Sequence, residues 1–164
     1  MSVESLFLEC AARKLQEFTG RIEVCLGKLD DDRIWARGHE NENAVGNLVL
    51  HLTGNVRQWI ISTFGNKPDA RVRDREFAAR GGGAAGELSA ALRATVDEAA
   101  RIIAGLSADQ LEANYEIQKN RVSGVEAVFH VVEHFAQHTG QIIFATKMLT
   151  GEDLGFFAHL NARK

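Results

Sequence analysis

Proline is almost missing from this chain: Pro68 is the only one in 164 residues. A proline ring locks φ and removes an amide donor, so it ends helices. The long proline-free stretches, rich in alanine and leucine, therefore point to an all-α protein. Net charge is also small, −3, which gives no case for a nucleic-acid or acidic-membrane surface. Arg71, Arg73, Arg75 and Arg80 are interleaved with Asp69, Asp74 and Glu76, and the mixture reads as a solvated loop. No apolar run approaches the length of a membrane span, and "MSVESLFLECAARK" lacks the basic opening of a signal peptide. Cysteine is scarce too. Cys10 and Cys25 fall on one helix, roughly 22 Å apart at its usual rise, too far for a disulfide. They are expected to be buried free thiols in a reducing cytoplasm.

What remains is ordinary for one globular domain spanning 1–164, with enough length for a substantial core. A first helix is expected from about Val3 to Lys28, with Val3, Phe7, Ala11, Leu15, Phe18, Ile22, Cys25 and Leu29 as its stripe. Asn43 is a candidate N-cap for a second helix from about Ala44 to Phe64, which carries Val45, Leu48, Leu52, Val56, Trp59 and Thr63 on one side. A long loop over 65–86 follows, of the kind that often borders a functional site. The third helix spans about Glu87 to Leu106, with Leu88, Leu92, Val96, Ala99 and Ile103 inward. A short excursion with a small hairpin around Lys119–Asn120 leads to a fourth helix from Ser123 or Gly124 to Leu149, closed by Gly151. Four long helices, a long loop after the second and a medium crossing describe a four-helix bundle.

The fourth helix contains "HVVEHFAQHTGQI", with His130, His134 and His138 on successive turns. With His138 as the zero direction, Val131, Leu149, Ala127 and Ala145 lie within about 20° of it. His134 is roughly 40° off that axis and His130 about 80° off, beside Gln137 and Gln141. His134 and His138 are thus expected to face inward, with His130 on the flank. Two imidazoles one turn apart can chelate one ion, and a third ligand must come from another helix. "NLVLHLTGNVRQWI" offers His51, on the shoulder of the second helix's stripe. His39 and His159 read as surface residues.

These blocks, "NLVLHLTGNVRQWI" and, after a long gap, "EHFAQHTGQI", resemble the DinB/YfiT-like superfamily, over most of the chain to about Leu149. The resemblance implies a four-helix bundle, commonly a dimer, that holds a divalent metal with three histidines. Matched residue by residue, those would be His51, His134 and His138. Thr139 stands where many members carry arginine in "HRGQ", so nothing that arginine does can be carried over. The superfamily also includes mycothiol-dependent isomerases and bacillithiol S-transferases, a kinship of fold that does not transmit chemistry.

Three imidazoles leave positions open on zinc or nickel, or on iron or manganese. An open position can bind water and lower its pKa, or hold a low-molecular-weight thiol as thiolate. The leading expectation is a metal-dependent enzyme on small molecules, a thiol S-transferase or a hydrolase. The alternative is a non-catalytic metal-binding or stress-response protein. Asn55 and Asn47, one turn either side of His51, and Gln141, one turn beyond His138, are candidates to orient a ligand or substrate, with His130 nearby. Glu126 and Glu133 point away. The absence of an evident inward carboxylate argues against a zinc-peptidase-like mechanism. Phe129, Val132, Ala136 and Ile143 make a second apolar strip roughly opposite the histidines, which suggests a homodimer.

Overall fold

The computed structural model describes residues 1–161, apart from the side chains of His159 and Asn161, so the reading of His159 lies outside the described residues. The chain is mostly helical. Helix α1 (Val3–Leu26) starts where the Ser2 hydroxyl accepts the Ser5 amide and stops at Gly27. A single turn, α2 (Asp31–Ile34), leads to α3 (Val45–Val56), which continues as a π-helical segment over Arg57–Ser62. The loop over 65–86 contains a further short helix, α4 (Arg73–Ala78). Helix α5 (Ala85–Ala104) and the short α6 (Ala108–Glu112) precede a hairpin, β1 (Asn114–Ile117) and β2 (Asn120–Ser123). Helix α7 (Gly124–Thr150) ends at Gly151, whose φ of 71° is the left-handed cap glycine tolerates best. The turn α8 (Ala158–Asn161) follows.

Helices α1 and α3 are each flanked by α5 and α7, and α3 also carries α4. One contiguous core fills the space between them. Leu15, Ile22, Leu52, Ile60, Leu92, Ile103, Phe135 and Ile142 are fully buried in it. Each such side chain contributes about 1.5–3 kcal/mol of hydrophobic stabilisation. Across the α1–α5 seam, Arg93 Nε donates to Glu23 Oε1 at 2.8 Å and Gln16 Nε2 to Asp97 Oδ1 at 2.8 Å. The π-helical segment widens the turn, so the consecutive Trp59, Ile60 and Ile61 are all buried. No helix among the described residues is long and apolar enough to cross a membrane.

Several expectations need correction. Ala44, not Asn43, occupies the N-cap of α3, and the Asn47 side chain takes over by accepting the Ala44 amide at 3.1 Å. Cys25 is buried but Cys10 is exposed, and Val3 is 80% exposed, because the inward face of α1 runs through Leu8, Ala11, Leu15 and Thr19. The hairpin turn sits one residue earlier, at Gln118 and Lys119, both at positive φ as a two-residue turn of the I′ type requires. On α7 the buried line runs through Val128, Phe135, Thr139 and Ile142, so His134 and His138 are half-buried at its edge. The periodicity missed this because Thr139 and Thr146 count as core: each hydroxyl is satisfied by the carbonyl one turn back, at 2.7 and 2.8 Å. Half of the second apolar strip is used within the chain. Val132 and Ile143 pack on the core, and Phe129 is left 58% exposed.

The start of α7 lies hard against α6. A Cβ on Gly124 would meet the Gln110 carbonyl oxygen at 2.2 Å and the Leu111 Cα at 2.8 Å, whereas one on Gly140 would meet nothing. Urea unfolding should therefore show Gly124→Ala destabilised by about 1–3 kcal/mol through overpacking. Gly140→Ala should be stabilised by roughly 0.5–1 kcal/mol.

Candidate metal centre

Helix α3 buries Leu48, Leu52 and Val56, and this turns the shoulder residues His51 and Asn55 toward α7. Helix α7 answers with His134 and His138, one turn apart on the edge of its buried line. His51 Nε2 lies 2.8 Å from His134 Nε2, and the His51 and His138 rings are 5.0 Å apart between centroids. One ring nitrogen from each of the three falls within 4.8 Å of the others. Nitrogens bound to a zinc-like ion at about 2.1 Å lie roughly 3.4 Å from one another in a tetrahedron. The observed separations bracket that value, so the donor set fits a divalent ion after small side-chain adjustments.

The far nitrogens of two rings are already engaged. His51 Nδ1–H donates to Glu76 Oε2 at 2.8 Å, and His138 Nδ1–H donates to Gln141 Oε1 at 2.6 Å. This assignment leaves the Nε2 lone pairs of both rings for a metal. Gln141, a candidate to orient a ligand or substrate, here accepts from His138. Asn55 is buried with its Oδ1 unpartnered among the described residues and its Nδ2 3.5 Å from His130 Nε2. His130 stays outside the cluster, as its rotation predicts, but it is far from idle. Its ring is sandwiched between Trp59, 3.9 Å between centroids, and His134, 5.3 Å away and stacked.

Glu76 overturns two readings. The segment taken as solvated holds a buried ion pair, and an inward carboxylate does exist. The Arg71 guanidinium forks onto Glu76, Nε to Oε1 at 2.7 Å and Nη2 to Oε2 at 2.8 Å, with both side chains almost covered. Glu76 sits behind His51, on the side away from the nitrogen cluster, with both oxygens committed. It orients the imidazole and is not free to act as a base on a substrate. Asn47 is also reassigned. Its Nδ2 donates to the Glu76 and Ala79 carbonyls at 2.8 and 3.0 Å, so it ties α4 to α3 and does not face a ligand. Arg37 reinforces the tie through Asn47 Oδ1 and the Ala79 carbonyl. Phe77 covers His51, 4.6 Å between ring centroids.

A glycine makes this docking possible. A Cβ at Gly54, three residues after His51, would lie 2.1 Å from Glu76 Oε1 and 2.9 Å from Arg71 Nε. Glycine inside a helix costs about 1 kcal/mol relative to alanine, so its presence one turn from a candidate ligand was the available signal for a close approach. No pattern in the sequence pointed to Glu76 itself.

Electrostatics favour the ligand-competent forms. Burial raises the Glu76 pKa, but the hydrogen bonds and charges of Arg71 and His51 outweigh it and hold the group below the ordinary carboxylate range. Burial, then the neighbouring His138, His51, His130 and Arg71, push His134 down to about 3. Burial also lowers His138, against the bond to Gln141, and lowers His130. His130, His134 and His138 are therefore held in the neutral form at pH 7.

A mostly helical chain with a three-histidine cluster backed by a buried carboxylate is the class that fold and site define. The chain belongs to the family described as "Protein of unknown function (DUF1572)", whose profile matches residues 2–159. No curated protein matches it. Its fold is similar to that of a solved structure titled "Crystal structure of the conserved protein of locus from Enterococcus faecalis", with a TM-score of 0.70 and 17% identity. That match covers 93% of this chain and 99% of the other.

Two outcomes follow from the carboxylate and the depressed imidazoles. Glu76→Gln and Gly54→Ala should each lower metal affinity by about 10–100-fold in competition titrations, with His51 still in place. In metal-free protein the unfolded chain takes up protons on these histidines near pH 6.5, while burial lowers His138 and takes His134 down to about 3 in the folded chain. Stability should therefore be full above about pH 6.5 and fall steadily toward pH 4. The fall should be shallower in His134→Gln, as measured by urea melts across pH.

Proposed function

We propose that this protein is a four-helix bundle of the DinB/YfiT-like type that binds one divalent metal through His51, His134 and His138. In this reading the metal serves an enzyme acting on small molecules, of the thiol S-transferase or hydrolase type. The observation that carries it is the convergence of three imidazole nitrogens from two helices, with Glu76 bonded to the back of His51. Zinc and nickel suit three imidazoles best, and iron or manganese would also be accepted. When bound, such an ion supplies Lewis acidity and holds a coordinated water or low-molecular-weight thiol in its deprotonated form.

The residues divide the remaining work. Glu76 and Gln141 fix the rings of His51 and His138, so that metal binding requires no search among tautomers. Imidazole is a neutral metal ligand and the Glu76 carboxylate is paired with Arg71, so the metal's charge would stay largely uncancelled. That favours an anionic partner such as a thiolate. Phe77 shields His51 from water, and the unpartnered Asn55 Oδ1 offers an acceptor for a substrate donor. We further propose a homodimer that covers Phe129, together with Phe144 and Met148 of the same helix, 68% and 72% exposed.

Elemental analysis of untagged protein should find one divalent ion per chain. His51→Ala, His134→Ala and His138→Ala should each lose it, while His130→Ala keeps it. Retention of metal in His134→Ala would undo the ligand assignment. In cobalt- or nickel-loaded protein, an added small thiol should produce sulfur-to-metal charge-transfer absorption that vanishes in His51→Ala and survives in Cys10→Ala. A spectrum indifferent to thiols but shifting with pH near neutrality would select the hydrolase. Indifference to both would leave a structural or sensing metal.

A further inference from the structure

A cavity of about 330 Å³ lies on the outer side of the Arg71–Glu76 pair, bounded by Gly54, Arg57, Ser62, Asp69, Arg71 and Arg75, among others. Three guanidinium groups and two carboxylates share its wall, and what decides its character is which of them are already engaged. Asp69 turns both oxygens to protein donors: Oδ2 accepts from Gln58 at 2.6 Å and Oδ1 from the Arg71 amide at 3.0 Å. Glu76 gives both oxygens to Arg71 and His51. Arg71 is spent on Glu76 and, through Nη1, on Gln58 Oε1 at 3.0 Å. Arg57 and Arg75 are exposed and form no ion pair among the described residues. On α5, Glu98 feels the charge of Arg57 but is itself paired with Lys67.

We propose that this cavity binds a small oxyanion, the phosphate or carboxylate group of a metabolite, between the Arg57 and Arg75 guanidiniums. The planar fork of arginine matches either group and is always charged. Two free forks on one concavity, with the acidic groups occupied, leave a net positive lining in a chain of net charge −3. Ser62 adds a hydroxyl whose present bond, to the Pro68 carbonyl at 3.4 Å, is near the limit of a hydrogen bond and easily exchanged. The volume exceeds what a bare phosphate needs and falls at the lower end of ligand pockets, so the anion would be one end of a small organic molecule. The site requires no metal and stands or falls apart from the metal reading.

The test is titration of the full chain with inorganic phosphate and, separately, succinate, at constant ionic strength so that general screening is held fixed. Binding is followed by calorimetry and by the arginine Nε–H resonances. The expected result is saturable one-to-one binding that shifts the Arg57 and Arg75 signals. Affinity should fall by about tenfold in Arg57→Gln/Arg75→Gln and stay unchanged in Arg13→Gln, on α1. Circular dichroism should confirm that the double variant folds, and the single Arg57→Gln variant should show a partial loss. Tighter phosphate identifies a phosphorylated ligand and tighter succinate a carboxylated one. Equal affinity in wild type and double variant, or shifts that never saturate, would overturn the proposal.

Discussion

The hydrogen bond from His51 Nδ1 to Glu76 is the contact on which the rest of the site depends. It selects the His51 tautomer and so turns Nε2 toward α7. A buried carboxylate needs a compensating cation, which is why Arg71 is buried with it. The pair must then lie flat on α3, which only a residue without a side chain at position 54 permits. Arg37 and Asn47 anchor the backbone that carries Glu76. Five residues outside the histidine cluster thus exist in their present arrangement because one ring nitrogen has to be held.

The long elements and two of their seams could be read in advance. Leu88, Leu92, Val96, Ala99 and Ile103 repeat at helical spacing and are all buried, because packing there follows apolar periodicity, with Thr95 as the one polar residue of that face that is buried too. The histidine pair was legible for the same reason, and His51 because it shares a helix face with Leu48 and Leu52. Thr139 misled, since a hydroxyl bonded to its own helix behaves as core. Glu76 was illegible on different grounds. Its burial comes from docking on α3, against the distant His51 and Asn47, as well as from its near neighbour Arg71, and "RVRDREF" has the composition of a solvated segment whether or not one of its carboxylates is inside.

The π-helical segment has a comparable logic. An α-helix presents one stripe, yet the second helix must satisfy α5 on one flank and α7 on the other. The widened turn at Arg57–Ser62 buries Trp59, Ile60 and Ile61 in succession, and Trp59 is thereby laid against His130. The same irregularity that completes the core also builds the aromatic wall beside the histidines.

The six residues of α4 are too few to hold a helix in isolation, where a nucleus forms at a loss and only length recovers it. This segment acquires its shape from the surface it lands on, through Asn47, Arg37 and the Gly54 gap. Geometry and orientation of the centre thus rest on separate contacts: the α3–α7 seam brings the three imidazoles together, and the docked α4 fixes the tautomer of His51.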